Sequence, residues 1–189
     1  MNIKDKIKPH KKKRTELAQM RHTANVMVGG AATSAAVAGA VPVLFPDTAV
    51  ILPIETMMTK GIFKTYKINV SADLITAIIG SAAISNIAKS LVTPLKVLPI
   101  AGQVINGVVA GAIVLVLGEA EIALSEAIHK GGINSDKMDD VLGFVDSALK
   151  KNKIAGELIK FLEQNATNLA GKDSKEILTT FLKVVKKVK

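Results

Sequence analysis

The sequence predicts an all-α fold: a helical bundle with a central Ala/Gly-rich hydrophobic hairpin and a C-terminal helical appendage. Three observations predict it. Apolar residues recur at helical spacing in most of the chain, no convincing strand pattern occurs, and Pro or Gly residues separate the periodic segments. The length of 189 residues suits one ordinary domain with such an appendage.

Charge is concentrated at the two ends of the chain, which has a formal net charge of +9. Residues 1–22 have eight basic and two acidic side chains, whereas residues 23–128 have five and six. Both ends are therefore basic, and the middle is nearly neutral and apolar. We divide the chain into a basic N-terminal tail with the start of the first helix (1–22), a hydrophobic helical core domain (23–132) and a basic C-terminal helical subdomain (133–189).

The first helix is expected to begin at Thr15 or Thr23, either of which could cap it, and to end near residue 41. Within it, small residues repeat at four-residue spacing, a pattern that lets two helix backbones approach closely. Two such rows occur: Ala31, Ala35 and Gly39, and Gly30, Ser34 and Ala38.

The second predicted helix, 48–66, follows a proline-rich turn at Pro42 and Pro46. It is amphipathic, with apolar side chains on one side and lysines elsewhere. The apolar set is Ile51, Ile54, Met58 and Ile62, and the lysines are Lys60, Lys64 and Lys67.

Two further helices complete the predicted core domain. The third, 72–91, has Ser71 as its expected N-cap. The fourth, 103–128, carries Gly107 and Gly111 on one face and ends at a pair of glycines, a strong helix-stop signal.

Three helices are expected after residue 133, at 135–151, at 153–169 and from about 174 to 189. Asp173 and Glu176 resemble a capping box at the start of the last one. This last helix is basic and amphipathic, so it either docks on a neighbouring helix or lies on a membrane.

Two long uncharged runs, 22–46 and 97–118, do not decide whether the predicted hairpin lies at a membrane or inside a soluble protein. About 20 apolar residues are needed to cross a bilayer, but the first run is mostly Ala, Gly, Ser and Thr, and the second contains Pro, Gln and Asn. The segments 24–42 and 103–118 therefore pack either within or against a membrane, or as the core of a soluble globule.

A cluster of basic residues precedes the first uncharged run. It consists of Lys11, Lys12, Lys13 and Arg14. A basic cluster beside apolar segments favours contact with anionic lipid, at about 1 kcal/mol per residue. Nucleic acid is disfavoured, because single-strand binders interleave aromatic with basic residues and no aromatic residue precedes Phe45. With no cleavable signal peptide expected, we predict a location on the cytoplasmic side of a membrane, peripheral or inserted.

Residues 39–67 contain a proline-rich motif with Gly39, Pro42, Phe45, Asp47 and Glu55 at its fixed positions. A second stretch, 98–107, includes Pro99 and Gly102 and is followed by Gly118-Glu119-Ala120. Together these motifs resemble the helical domain found beside Era-like GTPases and in YcjF-like inner-membrane proteins, over residues 24–130. The resemblance implies a helical, membrane-linked module that often accompanies a GTPase. Glu55 replaces the usual Gln of this family, and Pro46 intrudes before Asp47, whose simplest role is an N-cap.

No chemistry-bearing motif occurs in the sequence. There is no P-loop and no nucleophile elbow, and without Cys no thiolate site can form. The three histidines lack metal-ligand spacing. The sequence therefore predicts no catalytic, cofactor-binding or metal site, and no enzyme.

Three hypotheses for function follow from the sequence. The favoured one is a non-enzymatic module on a membrane, acting as an accessory or scaffold for a GTPase or another protein. The alternatives are a soluble helical adaptor and a conditional pore-forming protein. An anionic membrane surface is the expected partner, and homo-oligomerisation stays open.

Overall fold

The computed structural model describes the backbone of residues 3–41, 48–95 and 102–188, and their side chains except at 3–13, 48–50, 82, 93 and 185–188. Every regular element in these ranges is helical, which confirms the predicted all-α class. The helices are α1 (Ile3–Gly39), α2 (Thr48–Thr65), α3 (Ala72–Ile79), α4 (Ala82–Leu95), α5 (Gly102–His129), α6 (Met138–Lys151), α7 (Ile154–Leu169) and α8 (Ser174–Val188).

Helix α5 forms the centre of the bundle. It contacts α1, α2, α4, α6, α7 and α8, and buried residues occupy nearly its whole length. A helix that is apolar on all sides is stable only where no side of it faces water. Six of the other described helices therefore pack around α5, and α3 packs on α2 and α6.

Helices α1 and α5 pack against each other in antiparallel directions. A Cβ atom on Gly107 would lie 2.3 Å from the carbonyl oxygen of Ala36, and one on Gly111 would lie 2.7 Å from that of Ala32. As the residue number rises along α5 from 107 to 111, the residue contacted on α1 falls from 36 to 32, so the two helices run in opposite directions. The two backbones approach this closely only because both glycines lack a side chain. The expected hairpin of the two Ala/Gly-rich segments is thus present.

Only one of the two predicted small-residue rows on α1 contributes to this contact. Ala35 and Gly39 are buried, but Ser34 is exposed and a Cβ on Gly30 would meet no atom within 4 Å. The row that includes Gly30 and Ser34 was therefore assigned wrongly, because it lies on the side of α1 that faces away from α5. The stripe that is buried instead is Ala24, Val28, Ala32 and Ala36.

Helix α1 begins at Ile3, so a start at Thr15 or Thr23 was wrong. Residues 10–21 are rich in Lys, Arg, Leu, Ala, Gln and Met. These are strong helix formers, and they continue the helix upstream of both threonines.

The predicted third helix is divided in two. Helix α3 ends at Ile79 and α4 begins at Ala82, with Gly80 as the C-cap between them. Glycine costs about 1 kcal/mol in a helix interior, which explains the break. The predicted N-cap is confirmed, since the Ser71 hydroxyl accepts a hydrogen bond from the Leu74 amide at 3.1 Å.

Helix α8 docks on both helices of the hairpin. Its capping box is confirmed: the Glu176 amide donates to Asp173 at 2.8 Å and the Asp173 amide to Glu176 at 3.3 Å. The Ser174 hydroxyl donates to the carbonyl oxygen of Ala36 at 2.8 Å. Leu178 covers Gly111. The first turns of α8 thus cover the α1–α5 contact.

Candidate functional site

A partly buried ion pair joins the end of α5 to α1, with the Glu126 carboxylate buried and the Arg21 side chain more than half exposed. Arg21 donates two hydrogen bonds to Glu126, from Nε at 2.5 Å and from Nη2 at 2.8 Å. The Tyr66 hydroxyl lies 3.4 Å from the same carboxylate, and Lys130 lies 3.5 Å from it. Burial alone would raise the pKa of Glu126, but the hydrogen bonds and charge of Arg21 lower it.

A second polar cluster lies at the contact of α2 with α5. The Thr59 hydroxyl is 2.9 Å from the carbonyl oxygen of Glu55 and 2.6 Å from Oε1 of Glu121. Thr59 and Glu121 are completely buried, and Glu55 is nearly so. Oε2 of Glu121 and the hydroxyl of Ser125 have no hydrogen-bond partner among the described residues.

The geometry of this cluster accommodates a protonated Glu121. A threonine hydroxyl has one hydrogen, so Thr59 can donate fully to only one of its two neighbours. Both contacts become hydrogen bonds when Thr59 donates to the Glu55 carbonyl and a protonated Glu121 donates to Thr59. Burial raises the pKa of Glu121 to about 8. The Thr59 hydroxyl, which can stabilise the ionised carboxylate, opposes this rise, and the nearby charge of Glu55 adds to it. Burial also raises the pKa of Glu55 to about 7.

The Thr59–Glu121 cluster holds α2 and α5 together and is not an open reactive site. Glu121 and Thr59 are sealed from solvent, and a reacting group must reach its substrate. Among the described residues, no set of three His, Cys, Asp or Glu side chains is placed to hold a metal ion.

The outer surface of α1 and α2 is the main apolar surface of the described protein. Eight large apolar side chains are exposed, and six of them lie on these two helices or directly after α1. Met57 is 75% exposed and Val26 is 61% exposed. We call these six residues the apolar face. Its members are Val26, Met27, Val37, Val41, Leu52 and Met57.

A shallow groove of about 390 Å³ runs along the apolar face between α1 and α2. Met27 and Ala31 line it on α1, and Ile54, Met57 and Gly61 line it on α2. From Thr23 to Val41 the chain has no charged side chain. The groove and its borders are therefore apolar surface that no described helix covers.

A basic groove of about 720 Å³ lies where α2 ends and α3 begins. Lys60, Lys64 and Lys67 border it, and all three are exposed. Apolar side chains form its floor. They are Phe63, Ile68, Val70 and Ile75.

The predicted site residues have different places in the structure. Arg14 is exposed on α1. Gly39 is buried, and a Cβ atom added to it would lie 2.7 Å from the Ala110 side chain. Gly102 is exposed at the start of α5. Outside the described residues lie Pro42, Phe45, Asp47 and Pro99, and outside the described side chains lie Lys11, Lys12 and Lys13.

Asp47 and Glu55, the two acidic positions of the proline-rich motif, are not both described by the structure. Asp47 lies in an undescribed segment. Glu55 is buried beside Glu121. Sequence reasoning missed Thr59 and Glu121 as partners; the available signal was a Glu flanked by apolar residues within α5.

Two stretches are long and apolar enough to cross a membrane by length and composition, Ala72–Val92 and Gly102–His129. In the second, 83% of the most apolar window is buried by other helices. Helix α1, one half of the predicted hairpin, is not among them, because its apolar half consists mainly of small and hydroxylic residues. These spans are weak evidence for membrane insertion, since a buried core helix has the same properties.

Comparison with known proteins adds no relative. No family model matches the chain, and no curated protein or solved structure matches it. The resemblance to the GTPase-associated helical domain therefore stays a prediction based on the motifs quoted above.

Proposed function

We propose that this chain is a non-enzymatic helical module that binds the cytoplasmic surface of a membrane through the apolar face of α1 and α2. It would serve there as an accessory or scaffold for a separate protein, and the motif resemblance points to a GTPase. The observation that carries the proposal is the concentration of exposed large apolar side chains on these two helices. Exposed apolar patches mark contact sites with lipid or protein, and Met27 and Met57 of this face line one groove.

Charge favours lipid over a protein partner for this surface. The basic cluster that ends at Arg14 precedes the apolar part of α1 in the same helix. Lys60 and Lys64 follow Met57 on α2, and Lys67 follows directly after that helix. The Lys67–Glu16 contact of 2.9 Å shows that these basic segments meet. An apolar face with lysines and arginines at one end matches an anionic bilayer, where lysine heads remain at the phosphates.

The structure favours binding at the surface over spanning. The long apolar helix α5 already has most of its surface covered by other helices. Insertion of α5 would exchange these contacts for lipid and would separate the Arg21–Glu126 pair. We therefore expect a membrane-bound protein to be released by carbonate.

The triple variant Val26→Asn/Val37→Asn/Met57→Gln should bind anionic vesicles at least about tenfold more weakly. Each Å² of apolar side-chain area that no longer enters the lipid removes about 25 cal/mol of binding free energy. All three residues are exposed, so the fold should persist. Flotation with vesicles of phosphatidylglycerol and phosphatidylcholine measures the effect.

The matched control replaces Met138 with Gln and Val184 with Asn, which are the two exposed large apolar side chains outside the apolar face in the described part of the chain. This control should bind vesicles as the unaltered protein does. Equal flotation of both variants would contradict the proposal. An unaltered protein that stays soluble and never floats would favour the adaptor, and leakage of vesicle contents would favour the pore-former.

A further inference from the structure

The basic groove combines cationic and apolar surface in one concavity. Lys60, Lys64 and Lys67 line it together with the buried side chains of Phe63 and Ile75. Lys60 and Lys64 follow Met57 at three- and seven-residue spacing, so they lie on the same side of α2 as part of the apolar face. The groove therefore opens next to the surface proposed for lipid.

Lys67 occupies a backbone position that suits glycine. Its φ is 59°, in the left-handed region. The Lys67 amide donates to the Lys64 carbonyl at 3.0 Å and the Ile68 amide to that of Phe63 at 2.9 Å. This is the Schellman pattern, in which glycine usually stands at the left-handed position. A lysine here costs stability, and helix geometry gives no reason for it.

Interaction with the dipole of α2 explains the position of Lys64 but not that of Lys60. Lys64 lies in the last turn of α2 and complements the partial negative charge there. Lys60 lies one turn earlier, where this effect has decayed. Glu16 pairs with Lys67 at an exposed position, and such pairs contribute little. With Glu16 included, the formal charge of these four side chains is +2.

We propose that the basic groove binds the phosphate headgroup of a single anionic phospholipid, with the first carbons of an acyl chain on the apolar floor. The lysines supply charge and donors for the phosphate. The floor supplies the apolar contact that a free phosphate ion cannot use. This inference rests on the proposed function and identifies the lipid class that the surface selects.

The test uses dihexanoyl phosphatidylglycerol below its micelle concentration, added to the ¹⁵N-labelled full chain. Amide signals of residues 60–75 should shift on binding. The double variant Lys60→Gln/Lys64→Gln should weaken binding about tenfold or more, since each basic residue contributes about a fivefold factor. The control Lys153→Gln/Lys160→Gln removes two exposed lysines near α7 and should bind normally.

Two single variants separate a binding role from a structural one. Lys67→Gly should raise the unfolding temperature, because glycine suits the left-handed position, and should weaken lipid binding severalfold. Val70→Ser should weaken binding of the lipid but leave binding of glycerol 3-phosphate unchanged. Lipid binding that is unaltered in Lys67→Gly and in Lys60→Gln/Lys64→Gln would overturn the proposal.

Other ligands and vesicles separate the remaining outcomes. Inorganic phosphate that binds as tightly as the lipid would overturn the lipid assignment in favour of a free-phosphate site. Vesicle binding without shifts at residues 60–75 would refute the groove and leave the proposed function standing. If the groove binds the short-chain lipid but the protein does not bind vesicles, the proposal for the groove is supported and the proposed function is refuted.

Discussion

Raising the pH from 5 to 8 should lower the free energy of unfolding, and Glu121→Gln should remove most of this loss. Glu121 is completely buried, and only its protonated form can donate a hydrogen bond to Thr59 and so satisfy both short contacts. The folded protein therefore holds a proton that the unfolded chain releases at ordinary carboxyl pKa values.

The sign follows from the direction of the shift. Burial raises the pKa of Glu121 from 4.5 to about 8. Its protonated form contributes stability that is fully present below pH 4.5 and is lost as the pH rises through 8. Over three pH units the loss is on the order of 3 to 4 kcal/mol. Glu55, with its pKa raised to about 7, steepens the loss between pH 5 and 7.

Urea unfolding followed by circular dichroism at pH 5, 6, 7 and 8 measures this effect. Gln retains the shape of Glu121 and an N–H donor for Thr59, so Glu121→Gln should resemble the unaltered protein at pH 5 and exceed it at pH 8. Glu163→Gln, on the exposed side of α7, is the control and should follow the unaltered curve. Stability that rises from pH 5 to 8 would show that Glu121 is ionised in the folded state.

Gly107→Ala should destabilise the protein by about 3 kcal/mol or more, at the upper end of overpacking effects. The added Cβ would lie 2.3 Å from the carbonyl oxygen of Ala36 and 2.7 Å from the Ser174 side chain. A backbone atom cannot rotate away, so α1 and α5 must separate. Thermal unfolding monitored at 222 nm gives the change.

Gly30→Ala is the matched control on the other helix of the hairpin. A Cβ on Gly30 would meet no atom within 4 Å, and alanine is the better helix former. This change should therefore stabilise the protein by about 0.5 to 1 kcal/mol. Equal effects of Gly30→Ala and Gly107→Ala would mean that the backbones of α1 and α5 are not in contact.

The sequence predicted the hairpin because small residues on two helices indicate close backbone contact. It did not identify the contacting face of α1, since the row with Gly30 and the row with Gly39 have the same spacing. Choosing between them depends on how α2 and α8 pack beside α1, which local periodicity does not encode. The break at Gly80 was missed because apolar residues continue on both sides of it.

Less of the candidate site than of the fold can be predicted from the sequence. The hydrogen bond between Thr59 and Glu121 joins residues that are 62 positions apart, so no local sequence pattern reveals it. The lysines of α2 were recognised as a polar side of that helix, but the groove beside them exists only because the chain turns at Lys67 into α3. Long-range packing determines both features.

Penetration of a fluorescent label into the bilayer tests the central claim most directly. The chain has no native cysteine, so Met57→Cys and Met138→Cys each give one labelling site. With anionic vesicles, a label at residue 57 should shift to the blue and be quenched by brominated lipid chains, whereas one at residue 138 should do neither. Bound protein whose label at residue 57 stays in water would contradict a lipid-binding face on α1 and α2.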